Sequence, residues 1–162
     1  RDGLVAAAQA ERFAGAVERD FAEFIKVLES DLPREEVLAA IRSVMTAVVR
    51  RDRAENRLRR TTALAGVHGR PELESVLSEA VAQNVDSAAR VVELGQKKGI
   101  FRPELDPRAS GTLMLCMALG YVVADFDARP VAQDDLVDVV DKMVEGAFLL
   151  KADETPPAVD QE

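Results

Sequence analysis

Few residues of this chain are of a type that carries chemistry. It holds one histidine, His68, and one cysteine, Cys116. His68 sits in Gly66-Val67-His68-Gly69-Arg70-Pro71, a run of turn formers. No Asp or Glu stands at helical ligand spacing from it on the same element. It reads as a loop residue, with a polar group pointing into a cavity as the alternative. Cys116 falls mid-helix among apolar residues, where a small buried hydrophobe is expected. A single cysteine allows no intrachain disulfide and no cysteine-based zinc site. The serines have no neighbouring histidine to activate them. No glycine-rich phosphate loop occurs. The carboxylate pairs Glu35-Glu36 and Asp134-Asp135 open helices, where negative charge suits the macrodipole. The Glu-x-x-His pattern of di-iron bundles is missing. The expectation is a protein that is not an enzyme and uses no cofactor and no metal.

Two other kinds of chemistry remain, ligand capture and self-association. Both centre on the apolar segment that follows Asp106-Pro107. Met114, Met117 and Tyr121 are large and adaptable, and Tyr121 adds a hydroxyl that can orient a ligand. Phe24, Met45 and Val48 lie on the apolar stripes of two earlier helices. These six residues are the expected lining of a cavity between helices, a usual place for a small apolar or aromatic molecule in a bundle. Thr112, Cys116, Gly120 and Ala124, four apart, form a face of small residues that admits another helix. Val140, Met143 and Ala147 of the last helix extend the expected interface. Helices five and six of two copies would then make a four-helix dimer contact.

The elements that position these residues are helices throughout. A first helix is expected from Asp2 to about Ser30, with Phe13, Val17, Phe21, Phe24 and Leu28 recurring every three or four residues. Pro33 opens a second helix carrying Val37, Leu38, Ile41, Met45 and Val48. A third, arginine-rich helix ends near Gly66, and a fourth runs from Pro71 to Gly99. The fifth spans about Pro107 to Phe126, capped by Asp106. The sixth runs from about Asp134 to Leu150. The fold class is all-α, an antiparallel bundle of about six helices. Residues 1–150 form one domain and 151–162 a disordered acidic tail.

Composition agrees. The 162 residues are 48% apolar and 31% charged, enough for one domain with a core. The net charge of −8 excludes a globally basic nucleic-acid footprint. No apolar run approaches the roughly 20 residues that span a bilayer. No secretory leader is visible, so a cytoplasmic protein with no membrane partner is expected. Within this acidic chain Arg50, Arg51, Arg53, Arg57, Arg59 and Arg60 crowd together, with Asp52 and Glu55 interleaved. A solvated helix face laced with ion pairs is the plain reading. A rim that attracts anionic ligands, or a face near DNA phosphates, is the alternative. The stretch lacks the aromatic residues of a single-strand stacking platform.

The order of elements resembles the C-terminal, ligand-binding and dimerisation part of TetR-family transcriptional regulators. Three features carry the resemblance. Arg1-Asp2-Gly3-Leu4-Val5-Ala6-Ala7-Ala8 is similar to the segment after that family's recognition helix. Gly99-Ile100-Phe101-Arg102-Pro103-Glu104-Leu105-Asp106-Pro107 is similar to the turn before its penultimate helix. The last two apolar helices match its dimerisation pair. The resemblance implies a homodimeric regulator, expected to be a repressor, whose effector enters between helices one, two, four and five and tilts the first helix. The family's helix-turn-helix has no counterpart in these residues, so operator DNA would be bound only through a head upstream of Arg1. The competing reading is a helical dimeric interaction module with no small-molecule site.

Overall fold

The computed structural model describes residues 21–67 and 69–150. The first twenty residues, His68 and the 151–162 tail lie outside the described residues, and with them the expected Asp2 cap and the expected tail disorder. The described chain is an all-α bundle. Helix α1 covers residues 21–29, where Phe24 and Leu28, one turn apart, are both buried. Pro33 precedes α2 (Arg34–Ala47), and its carbonyl accepts the first backbone bonds of that helix. Val37 and Ile41 form the buried stripe of α2. A single 3-10 turn, Arg51–Arg53, leads into α3 (Ala54–Ala65). The long α4 (Pro71–Lys97) begins on its proline, whose missing N–H costs nothing at that position.

Helix α4 ends where Gly99 adopts φ +65, a left-handed conformation that favours glycine. Ile100 N–H then donates to the Gly95 carbonyl at 2.8 Å. The Phe101 ring lies over Gly95, where a side chain would collide with it. The Asp106 carboxylate accepts from Ala109 N–H at 2.7 Å and caps α5 (Pro107–Gly120). Helices α4 and α5 approach closely because Gly111 has no Cβ. A Cβ there would stand 2.8 Å from the Ala89 nitrogen.

The fifth helix is shorter than expected. It breaks at Tyr121, and a short α6 (Val122–Asp125) follows. Gly120 and the β-branched pair Val122-Val123 weaken the helix at this point. The last helix, α7 (Gln133–Ala147), also stops early. Residues 148–150 turn extended and pair with the segment after α4. Phe101 and Leu149 form an isolated antiparallel bridge, and Leu150 N–H donates to the Ile100 carbonyl at 2.9 Å. Burying Phe148 and Leu149 in this pairing outweighs another turn of helix. Arg34 ties the junction by donating to the carbonyls of Gly99 and Leu150. One core unites Leu28, Val37, Ile41, Val92, Ile100 and Phe101 with Val140 and Val144.

Candidate functional site

The packing of α2, α3, α5 and α7 leaves a cavity of about 90 Å³. Phe24, Met45, Val48, Met114, Met117 and Tyr121 all line it. The i, i+3 spacing of Met114 and Met117 and the further turn to Tyr121 put them on one face of α5. Met45 reaches the same space because it lies one turn beyond Ile41 on the buried stripe of α2. Burial raises the Tyr121 phenol above its usual pKa, so it stays protonated at neutral pH.

Two elements contribute that were not expected to. Val140 and Val144 of α7 close one side, and α3 with its preceding turn supplies Arg53, Asn56, Arg57 and Arg60. The four helices expected around the cavity all contribute, α4 through Val91, and the wall is shared with α3 and α7. The signal for α3 was in the sequence. Residues 53, 56, 57 and 60 follow the i, i+3, i+4, i+7 rule of one helical face. Arg50 and Arg59, off that face, make exposed ion pairs with Asp52 and Glu55 as a solvated arginine run would.

Arg57 is the structural centre of this wall. Its side chain is 5% exposed. Nε and Nη2 donate to the two carboxylate oxygens of Asp125, at 2.8 and 2.6 Å. Nη1 donates to the carbonyls of Val48 and Arg50, at 2.7 and 2.9 Å. A single guanidinium thus fastens the α2–α3 connection to α6. The hydrogen bonds and charge of Arg57 hold the Asp125 carboxyl below its ordinary pKa, against the opposing effect of burial.

The expected interface residues separate into two groups. Thr112, Cys116, Gly120, Ala124, Met143 and Ala147 are exposed on the described chain. Thr112 Oγ1 donates back to the Arg108 carbonyl, so its hydroxyl is satisfied within α5. Val140 is the exception and a correction. It is 3% exposed and belongs to the core and the cavity wall, while Val139 beside it points outward. Cys116 is likewise not the buried hydrophobe expected from its neighbours, but exposed. Gly120 and Gly146 meet nothing within 4 Å in the chain. Leu113, Val123, Phe126 and Val139 join this uncovered surface, with Val123 74% and Phe126 71% exposed. Leu113 and Phe126 escaped sequence reading because an apolar residue in a largely apolar helix has no periodic signal. The Pro107–Asp125 stretch is long and apolar enough, by length and composition alone, to cross a membrane, contrary to expectation. Its Asp125 is engaged in the Arg57 ion pair.

Among the described residues no group of three or more His, Cys, Asp or Glu side chains is placed to hold a metal ion. No family model, curated protein or solved structure matches this chain.

Proposed function

We propose that this chain is the effector-binding and dimerisation part of a ligand-responsive transcriptional regulator of the TetR type, acting as a repressor. The observation that carries this reading is the cavity. Phe24, Met45, Val48, Met114, Met117 and Tyr121, from three separate stretches of sequence, line one space between helices. Its wall includes Phe21 and Phe24 of α1, so an occupant there bears on the helix that would link to a DNA-binding head. A ligand that fits better when α1 is displaced shifts the population toward that state.

The uncovered apolar surface of α5, α6 and α7 supports the second half of the proposal. Apolar side chains such as Leu113, Val123, Val139 and Met143 gain by being covered. A two-fold arrangement pairing α5 and α7 with their copies would cover them, with Gly120 and Gly146 admitting close approach. Operator DNA would be contacted through a helix-turn-helix upstream of Arg1, in a cytoplasmic, non-enzymatic protein. The test is the coding sequence upstream. A basic three-helix segment ending just before Arg1 supports a regulator, and an unrelated domain there removes the case for DNA.

A further inference from the structure

Arg53, Asn56, Arg57 and Arg60 set three guanidinium groups and an amide on one wall of the cavity. The rest of the lining is apolar apart from the Tyr121 hydroxyl. No carboxylate lines it among the described residues. That is an unusual balance in a chain of net charge −8. Cationic groups along one low-dielectric wall focus their field on anions.

The three arginines are not equivalent. Arg57 spends its donors on Asp125 and the two carbonyls, and so acts as the strut of the wall. Arg53 and Arg60 flank it two helical turns apart and are half-buried. Both already engage other groups of the chain, so an incoming anion joins or replaces those contacts. A neutral apolar occupant offers these guanidinium groups no acceptor. A carboxylate would give charge-assisted hydrogen bonds.

Met114 and Met117 can shift to admit an apolar body. Resting on the effector-site reading above, we propose that the cavity takes an amphipathic monocarboxylate. Its apolar body lies against Phe24, Met114 and Met117, and its carboxylate meets Arg53 and Arg60.

The test is calorimetric titration of the chain with octanoate and with octan-1-ol, which share one apolar body. Octanoate is expected to bind at least about tenfold more tightly. That advantage should shrink between about 50 mM and about 500 mM salt. Arg53→Gln and Arg60→Gln should each weaken octanoate several-fold and leave octan-1-ol unchanged. Equal or tighter binding of the alcohol overturns the carboxylate assignment while leaving the effector site standing. Binding of neither compound overturns both. The comparison on the unsubstituted chain is decisive even if either variant folds poorly.

Discussion

Arg57 and Asp125 meet through two parallel hydrogen bonds, at 2.8 and 2.6 Å, across 68 residues of sequence. The pair joins the cavity wall to α6, which carries the uncovered Val123 and is followed directly by the uncovered Phe126. Replacing Asp125 with Ala leaves a guanidinium that is 5% exposed without its counter-ion. The expected loss is about 3 kcal/mol, the range for breaking one side of a buried pair. Urea unfolding measures it, and a loss below about 0.5 kcal/mol, as at an ordinary surface position, would contradict the strut.

The same pair sets a pH dependence. The Asp125 carboxyl is held below its ordinary value of 3.8 by Arg57. A carboxyl whose folded pKa is depressed contributes stability above its unfolded pKa and loses it as pH falls through the folded value. The stability gap between the unsubstituted chain and Asp125→Asn should therefore be full at neutral pH. It should close below about pH 4. A gap that stays constant from pH 7 to pH 2 would show that the carboxylate charge is not what Arg57 needs.

Gly111 and Gly120 sit on opposite sides of α5 and should respond oppositely. Gly111→Val forces atoms against Ala88 and Ala89 and should cost about 1–3 kcal/mol in folding. Gly120 has nothing within 4 Å, so Gly120→Phe should leave the folded chain intact and weaken self-association. Light scattering distinguishes the two. An unchanged dimer in Gly120→Phe would remove that face from the interface.

Cys116 offers a second view of the same surface. It is exposed on the single chain and lies within the expected two-fold contact. Its reaction with a maleimide should be fast in dilute protein and slow as concentration drives dimerisation. A rate independent of concentration would place Cys116 outside the contact.

The helical architecture was legible in the sequence because its signals are local. Pro33, Pro71 and Pro107 open α2, α4 and α5, and Gly99 ends α4, each by backbone geometry that a single residue dictates. The residues around the cavity were legible for a related reason: they lie on apolar stripes of helices that converge, and the same stripes also supply core residues such as Phe24. What stayed hidden is non-local. Nothing near Phe148 says that residues 148–150 leave the helix to pair with residues 100–102. Nothing near Arg57 names Asp125 as its partner. Val140 and Val139 are the same residue type side by side, and only the packing of α7 against α2 decides which one is buried.

Methionine methyl resonances test the effector site most directly. The chain has four methionines, and Met45, Met114 and Met117 line the cavity while Met143 is exposed on the outer surface of α7. With methyl-labelled methionine, titration with octanoate should move the first three resonances along one saturable curve and leave Met143 in place. Saturable movement of Met143 alone, or no saturable change at any methionine, would contradict the cavity as the place where this protein holds its ligand.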